Sequence, residues 1–298
     1  MRIAIVGCGY VGSALAGHWQ QQARHWLRVT TTRTERLAEL APLADDVQLL
    51  DAADPDQLRQ ALETTDAAVF CLAPGGSRQV DADGYEATYL RSMEAVTAVL
   101  PQLPGLHQLV YTSSCSVYGE ATGLVEETTT PHPLEPHARI LRDAEDLLLD
   151  CRGPHRRVAI ARLGAIYGPG RELEPRFRSL AGSRREGDGS SLISWIHRDD
   201  VVAALAWAVE QGFDGLLNLV DDEPVSVREL VDRSCRAAGL EPVIWDGDIT
   251  SPAEGAGPAT GRRISNRRLR ELGLELQHPR LPILASPPGP GAESQPPS

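Results

Sequence analysis

The sequence predicts an α/β fold built on a doubly wound parallel sheet, followed by a smaller α+β region. Two observations predict it. Short apolar runs alternate with segments of helical periodicity over residues 1–165, and a glycine-rich turn joins the first strand to the first helix. Such alternation is typical of parallel sheets with right-handed crossovers. A chain of 298 residues, 42% of them hydrophobic, is large enough to bury the core of this fold.

The elements of the first region follow from hydrophobic periodicity. Apolar runs predict strands at 2–6, 27–31, 47–50, 67–72, 108–112 and 158–163. Helical periodicity predicts helices at 13–24, 34–40, 55–63, 85–100 and 139–151. Because ligands bind outside the carboxyl ends of the strands in such sheets, the residues that follow each strand carry most of the functional argument.

The second region begins with an irregular stretch, residues 171–189, rich in Gly, Arg and Glu. A helix at 200–210 follows, and Asp199 or Asp200 could cap it. The remaining elements are strands at 216–220 and 242–245, a helix to residue 238 that starts with a capping box at Ser226, and a short helix at 266–272 stopped by Gly273.

The domain organisation follows from these elements. We expect a dinucleotide-binding domain at 1–165 and an interleaved substrate-binding region at 166–284. Residues 285–298 are mostly Pro, Gly, Ser and Ala, which predicts a disordered tail.

The glycines between the first strand and the first helix form a G-x-G-x-x-G pattern of Gly7, Gly9 and Gly12. Gly7 allows the tight turn, Gly9 lets a pyrophosphate approach the backbone, and Gly12 lets the helix pack on the strand. Exposed N–H groups at Tyr10 and Val11, together with the helix dipole, would hold the anion. The pattern predicts a Rossmann-type dinucleotide site, and an ordinary glycine-rich turn is the alternative.

The residue after the second strand bears on cofactor choice. An acidic residue there binds the ribose hydroxyl of NAD, whereas an arginine accommodates the 2′-phosphate of NADP. The chain has Thr31, Thr32 and then Arg33. A guanidinium can hold a phosphate with two parallel hydrogen bonds, so we expect NADP(H), with NAD the less favoured cofactor. Glu35 could still serve a ribose, and Arg33 could be a solvated surface residue.

The composition excludes several function classes. The net charge of −12 argues against nucleic acid and against anionic membrane surfaces as partners. Five scattered cysteines without a C-x-x-C pair indicate neither a disulfide framework nor a zinc site, and we expect small buried thiols. No apolar run approaches the length of a membrane span, and the first residues enter a strand directly. We expect a cytoplasmic protein.

The segment 111–119, YTSSCSVYG, resembles the T-S-S-x-x-V-Y-G segment of extended short-chain dehydrogenases/reductases, the NAD-dependent epimerase/dehydratase family. Further matches follow in order over residues 1 to about 280. They are RLGAIYGPG at 162–170, IHRDD at 196–200, NLVDDEPV at 218–225 and RISN at 263–266.

This resemblance implies a site in which a serine hydroxyl bonds the substrate oxygen, a tyrosine transfers a proton and a lysine lowers the pKa of the tyrosine. By position Ser114 is the serine, with Ser113 beside it. His137 and Leu141 stand where the Tyr-x-x-x-Lys signature belongs, and the chain contains no lysine, since all 29 basic residues are arginine. The pattern therefore resembles atypical members that keep the cofactor fold and lack the tyrosine.

The catalytic candidates each have a structural alternative. Histidine is a competent acid or base, so His137 could replace the tyrosine, or it could be a half-exposed histidine at a helix start. Ser114 could face the cofactor or substrate, or it could satisfy backbone groups where a strand ends.

The resemblance also implies that Asp51 lies near the adenine and that Leu72 and Ala73 line the dinucleotide. Asp51 could instead cap the helix that begins at Pro55. Two further groups of residues have open roles. His197 with Asp199 and Asp200 could suggest a metal, but we expect capping and no metal site. Arg171, Arg262 and Arg263 could hold an anionic substrate or be solvated.

We expect an NADP(H)-binding oxidoreductase that transfers hydride on an unidentified carbonyl or alcohol, a small-molecule substrate. The alternatives are a non-catalytic NADP(H) sensor or interaction protein, supported by the missing Tyr and Lys, and a nucleotide-sugar epimerase or dehydratase. The resemblance implies that a homodimer could form through the helices at 85–100 and 139–151.

Overall fold

The computed structural model describes residues 1–75, 80–247 and 261–282. Its strands are β1 (Arg2–Val6), β2 (Trp26–Thr31), β3 (Asp46–Leu49), β4 (Ala67–Phe70), β5 (Gln108–Ser114), β6 (Gly123–Val125), β7 (Arg157–Leu163), β8 (Ala165–Tyr167), β9 (Arg184–Arg185), β10 (Leu192–Ile193), β11 (Trp195–His197), β12 (Gly215–Leu219), β13 (Val225–Ser226), β14 (Ile244–Trp245) and β15 (Arg262–Ile264). Its α-helices are α1 (Tyr10–Gln22), α2 (Leu37–Leu40), α3 (Pro55–Leu62), α4 (Ala82–Tyr85), α5 (Arg91–Val99), α6 (Pro136–Leu149), α7 (Leu173–Arg178), α8 (Arg198–Glu210), α9 (Val227–Ala237) and α10 (Arg267–Glu271).

Seven of these strands form one parallel sheet in the order β3-β2-β1-β4-β5-β7-β12. The order changes direction between β1 and β4, which is where an open sheet of this kind leaves a crevice at its carboxyl edge. The predicted α/β fold with a doubly wound parallel sheet is confirmed, and the predicted strands differ from the observed ones by small shifts at their ends.

Both faces of the sheet are buried. Ile3 and Ile5 point to the face that α1 and α8 cover, while Ala4 and Val6 point to the face that α3, α5 and α6 cover. Successive residues of a strand alternate between faces, so a strand that is apolar throughout requires helices on both sides. This explains why β1 is a continuous apolar run.

Three helices of the first region begin earlier than the periodicity indicates. α1 begins at Tyr10, directly after the glycine turn, and α6 begins at Pro136 because proline is well tolerated in the first helical turn. The predicted helix at 85–100 starts instead with α4, which Asp81 caps, and a π-helical turn at Glu86–Leu90 joins it to α5.

The second region has its own core around Trp195, Phe177 and Leu230. Here the expectation of an irregular segment at 171–189 was wrong, because α7 and β9 lie within it. Leu173 and Phe177, one helical turn apart, are both buried in this core, so tertiary packing stabilises a helix that the polar composition hid.

The N-terminal caps of α9 and α8 were both predicted from the sequence. Ser226 caps α9 as predicted, and its Oγ accepts from the Glu229 N–H at 3.1 Å. The cap of α8 was wrongly assigned to Asp199 or Asp200, because His197 caps it through Nδ1, which accepts from the Asp199 N–H at 3.2 Å. The Asp200 carboxylate accepts instead from the backbone N–H groups of Gln277 and His278, at 2.6 and 3.0 Å.

β12 and α8 return to the large sheet, so the second region is interleaved with the first. The predicted tail at 285–298 lies outside the described residues. In the part of the chain that is described, no helix has both the length and the apolar character that a membrane crossing requires.

Candidate functional site

The glycine-rich turn lies at the carboxyl end of β1, with each glycine in a distinct environment. Gly7 has φ +90°, and a Cβ there would lie 2.8 Å from the Cys71 carbonyl oxygen. A Cβ on Gly12 would lie 2.6 Å from the Gly7 carbonyl oxygen. A Cβ on Gly9 would meet nothing within 4 Å. Gly7 and Gly12 are therefore required by close packing, whereas Gly9 leaves open space in front of α1.

Backbone N–H groups at the start of α1 face this open space. Gly9 is the N-cap of α1 and offers no side chain to the first turn, so the N–H groups that begin at Tyr10 and Val11 have no partner within the helix. The helix dipole adds partial positive charge at the same point. The turn fits the phosphate-binding role that its pattern predicts, because the chain provides both donors and room for an anion.

The segment after β2 brings two arginines toward this turn. Arg33 is exposed, and its backbone N–H donates to the Thr31 Oγ1 at 3.2 Å. Arg36, which sequence reasoning missed, donates to the Cys8 carbonyl oxygen and to the Ser13 Oγ, the latter at 3.2 Å. Glu39 accepts from the same guanidinium at 2.7 Å. The described structure therefore places a fixed cation against the glycine turn.

The other residues predicted to bind the cofactor, Asp51, Leu72 and Ala73, follow strands β3 and β4 and differ in their contacts. Asp51 is exposed, and its carboxylate accepts from the Ala53 N–H at 3.0 Å. The alternative that Asp51 caps α3 is wrong, because Asp54 does so, accepting from the Asp56 and Gln57 N–H groups. Leu72 follows β4 beside the glycine turn, since its Cα lies 3.3 Å from where a Cβ on Gly7 would be, and Ala73 is exposed next to it.

A cavity of about 520 Å³ lies beyond the carboxyl end of β5. Ser113, Ser114 and His137 all line it, so the structure brings the predicted catalytic residues together. Leu141, which stands at the lysine position of the family signature, lines it as well. Two tyrosines that the sequence motifs do not single out, Tyr85 and Tyr89, also line this cavity. They lie at the end of α4 and in the π-helical turn that follows it.

The serines in this cavity differ in their bonding. The Ser114 Oγ accepts from the Ser116 N–H at 3.1 Å, as the structural alternative expects, but an acceptor bond leaves its own proton free to donate. The Ser113 Oγ is buried and has no hydrogen-bond partner within the described residues. A buried hydroxyl without a partner is a site where a ligand or water is expected to bond.

His137 is half-buried and held from two sides. Its Nε2 lies 3.1 Å from the Val80 carbonyl oxygen, and its ring packs on Tyr85 with centroids 4.2 Å apart. A carbonyl oxygen only accepts, so this contact requires the proton on Nε2 and leaves Nδ1 as the basic nitrogen of the neutral ring.

The cavity is lined by both positively and negatively charged side chains. Arg262 lines it and donates to the Gly119 carbonyl oxygen at 2.7 Å, and no carboxylate of the described residues pairs with it. Glu120 and Glu135 lie on the rim. Burial raises the pKa of the Tyr89 hydroxyl, so this side chain stays protonated at neutral pH.

Beneath the cavity, Glu145 of α6 and Arg162 of β7 form a fully buried ion pair at 2.6 Å. The Arg162 guanidinium also lies 4.7 Å from the Tyr118 ring centroid. The Tyr118 hydroxyl donates to the Asn218 side chain at 2.7 Å, so Tyr118 has a structural role.

Histidine and acidic side chains meet at the start of α8. Ligand atoms of His197, Asp199 and His278 lie within 4.8 Å of one another, and the two imidazole rings stack at 3.6 Å. The third residue, His278, could not be foreseen from sequence because it lies 81 positions from His197 along the chain. The His197 Nδ1 caps α8 and one Asp199 oxygen pairs with Arg198 at 3.1 Å, so one atom of each of these two side chains already has a partner.

Cys8, Cys71 and Cys115 are buried thiols, as predicted, and Cys235 is buried too, whereas Cys151 is half-buried. Burial raises the pKa of Cys8 to about 12 and that of Cys115 to about 12. Neither is a thiolate at neutral pH, so neither is a nucleophile.

The sequence matches the profile of the NAD dependent epimerase/dehydratase family over residues 3–218. The chain belongs to this family. Its curated relatives include Protein YeeZ of Escherichia coli strain K12, 31% identical over 288 residues, which cover 93% of this chain and 96% of that protein. The family resemblance that the motifs carried is thereby confirmed.

Other proteins similar to this chain have more specific descriptions. A 3-diazoavenalumate denitrifying reductase of a Streptomyces species is 27% identical over 265 residues, which cover 81% of this chain and 83% of that protein. MoeE5, solved with UDP-glucuronic acid and NAD, is 25% identical with a TM-score of 0.70, and 93% of this chain and 94% of that chain are covered. A UDP-glucuronic acid 4-epimerase of Bacillus cereus, at 17% identity and a TM-score of 0.72 over 93% of this chain and 94% of that one, shares the fold.

Proposed function

We propose that the chain is an NADP(H)-dependent oxidoreductase that transfers hydride to or from a carbonyl or alcohol carbon of a small molecule. Its cofactor would lie along the carboxyl edge of the sheet, from the glycine turn to the cavity beyond β5. The family membership supports a nicotinamide cofactor, and the Streptomyces relative is described as a reductase. The cofactor preference and the chemistry each rest on residues of this chain.

The observation that carries the cofactor preference is the position of Arg36. Its guanidinium donates to the Cys8 carbonyl oxygen inside the glycine turn, and the exposed Arg33 precedes it after β2. The 2′-phosphate of NADP is recognised by arginine at the end of the second strand. Two guanidinium groups there, one of them anchored, favour the phosphorylated ribose.

When bound, the nicotinamide supplies or accepts the hydride. Ser114 would then donate its free hydroxyl proton to the substrate oxygen, and the buried Ser113 hydroxyl would bond the same oxygen or the cofactor. Aligned donors of this kind stabilise the charge that develops on an oxygen during hydride transfer. We propose that a protonated His137 gives the proton that completes reduction to the alcohol, because a tyrosine with a lysine partner cannot serve in a chain without lysine.

A second function is favoured by one comparison. MoeE5 was solved with UDP-glucuronic acid, and at 25% identity it covers almost the whole chain. A nucleotide-sugar epimerase would use the same cofactor site but would oxidise and reduce one sugar in turn, with no net consumption of the cofactor. That difference separates the two functions experimentally.

The first experiment is a fluorescence titration of the purified protein with NADPH and NADH. Tighter binding of NADPH is expected, and equal or tighter binding of NADH would contradict the preference. If neither cofactor binds, the oxidoreductase proposal is wrong.

The second experiment follows NADPH oxidation with a panel of aldehydes, ketones and quinones, and separately the interconversion of UDP-sugars. We expect NADPH oxidation that Ser114→Ala and His137→Ala reduce. The exposed residues Ser179 and His155 provide matched controls, Ser179→Ala and His155→Ala. Tight cofactor binding without any turnover would favour the non-catalytic sensor.

A further inference from the structure

A third and a fourth arginine meet at the first residue of α1. The guanidinium carbon of Arg171 lies 4.2 Å from the centroid of the Tyr10 ring, and that of Arg198 lies 5.3 Å from it. Arg171 follows β8 and Arg198 opens α8, so both come from the second region of the chain. Cation–π contacts hold such groups in place without neutralising their charge.

The loop that carries Arg171 is fixed on Tyr10. Gly168, with φ +135°, opens the turn that the Arg171 N–H closes by donating to the Gly168 carbonyl oxygen at 2.8 Å. A Cβ on Gly168 would lie 3.0 Å from the His197 Nε2 and 3.3 Å from the Tyr10 hydroxyl oxygen. The glycine therefore allows the loop to pack onto Tyr10, which brings Arg171 over the ring.

The charge of this group is compensated only in part. Within the described residues no carboxylate forms an ion pair with Arg171, while Arg198 pairs with Asp199 at 3.1 Å. Glu172 lies beside Arg171, but its carboxylate accepts from the Gly170 N–H at 2.8 Å. A positive site in a chain of net charge −12 indicates an anionic ligand.

The position of Arg171 and Arg198 in the fold indicates which anion they would bind. α1 and α8 pack side by side on the same face of a parallel sheet, so their N-termini both lie at its carboxyl edge. All four arginines line one groove of about 890 Å³ that begins at Gly9. Arg33 and Arg36 reach it from β2, while Arg171 and Arg198 reach it from the opposite side, across Tyr10.

We propose that Arg171 and Arg198 bind the diphosphate of the dinucleotide from the side opposite the glycine turn. The diphosphate would then be held between the backbone N–H groups of α1 and two guanidinium groups of the second region. This inference rests on the proposed function for its ligand, a dinucleotide. It assigns to these two arginines a role separate from recognition of the 2′-phosphate, since they would serve NADPH and NADH alike.

The test compares Arg171→Ala and Arg198→Ala with Arg36→Ala and with Arg185→Ala, a control at an exposed arginine of β9 that does not line the groove. Each variant is titrated with NADPH, NADH, ADP-ribose and adenosine 2′-monophosphate. ADP-ribose carries the diphosphate without the nicotinamide, and the monophosphate lacks the diphosphate. Thermal unfolding of each variant checks the fold, and the exposed position of Arg171 makes Arg171→Ala the safer variant.

We expect Arg171→Ala and Arg198→Ala each to weaken NADPH, NADH and ADP-ribose by a similar factor of about ten and to leave the monophosphate unaffected. Unchanged dissociation constants for all ligands, or a loss confined to NADPH, would overturn the role in diphosphate binding. Loss of NADPH and NADH with ADP-ribose unchanged would overturn it as well. If wild-type protein binds neither cofactor, the proposed function itself fails, and that result is distinct from the others.

Discussion

The guanidinium of Arg36 donates a hydrogen bond to the carbonyl oxygen of Cys8. This single bond joins the segment after β2 to the glycine turn after β1, two places that lie 28 residues apart in sequence. The hydrogen bond and charge of Glu39 raise the pKa of the guanidinium, which keeps it charged at every relevant pH. The NADP(H) preference that we propose would therefore depend on a side chain whose position is set before any ligand arrives.

Replacing Arg36 by alanine is expected to raise the Kd for NADPH about tenfold or more while changing the Kd for NADH little. The variant loses a charged hydrogen-bond donor to the 2′-phosphate, which NADH lacks. Fluorescence titration of both cofactors measures the effect. A parallel loss for NADH would show that Arg36 only supports the shape of the turn.

Alanine at Gly9 and at Gly12 should have opposite effects. Gly9→Ala is expected to leave the free energy of unfolding nearly unchanged and to weaken cofactor binding, because its Cβ projects into open space where the phosphate would approach. Gly12→Ala should lower the free energy of unfolding by about 1–3 kcal/mol, because its Cβ collides with the Gly7 carbonyl oxygen.

Urea unfolding and cofactor titration of the two variants give the comparison. Tight cofactor binding by Gly9→Ala would contradict a phosphate site at this turn.

The buried pair of Glu145 and Arg162 should be more sensitive to single than to double substitution. Glu145→Gln is expected to destabilise the fold by about 3–5 kcal/mol, since it leaves the Arg162 charge buried without its partner. The double variant Glu145→Leu, Arg162→Met removes both charges and should recover part of that loss. Chemical denaturation measures each value, and additive losses would show that the two residues do not act as a pair.

Asp221 makes stability depend on pH in the direction opposite to most carboxylates. Burial, with the nearby charges of Asp222 and Glu223, raises its pKa from 3.8 to about 8. Between those values the unfolded chain has released the proton that the folded chain keeps, so the contribution of Asp221 to stability falls as the pH rises.

Asp221→Asn is therefore expected to raise the Tm, with a gain that grows across this range to several degrees near pH 8. Thermal unfolding of wild type and variant at a series of pH values provides the measurement. A pH-independent difference would contradict the raised pKa.

Sequence reasoning found what local patterns specify. The apolar run of β1, the glycine turn and the capping box at Ser226 are each recognisable from a few consecutive residues, and the structure has a buried strand, a tight turn and a helix cap at these places. It also placed Ser114 and His137 at one cavity through the family motifs, although their chemical roles stay predictions.

The features that the sequence did not predict, among them the role of Arg36, the cap of α8 and helix α7, depend on contacts between distant segments. Arg33 is recognisable because it comes first after β2, and its role stays a prediction, whereas Arg36 reaches the glycine turn only through the short 3₁₀ turn that follows. The cap of α8 went to the wrong residues because Asp200 is needed by the backbone of Gln277 and His278. Helix α7 was hidden because its stability comes from packing against α9 rather than from its own composition.

All four cations that we assign to the dinucleotide are guanidinium groups, and this has a consequence for how the protein behaves in a changing environment. A lysine in such a groove could lose its proton at alkaline pH or its charge by acetylation, whereas arginine does neither. The positive charge of these four side chains is thus constant across the pH range in which the chain stays folded. Any acid or base dependence of cofactor binding would report on other groups of the groove, such as His18 and Glu39, or on the cofactor's own phosphate.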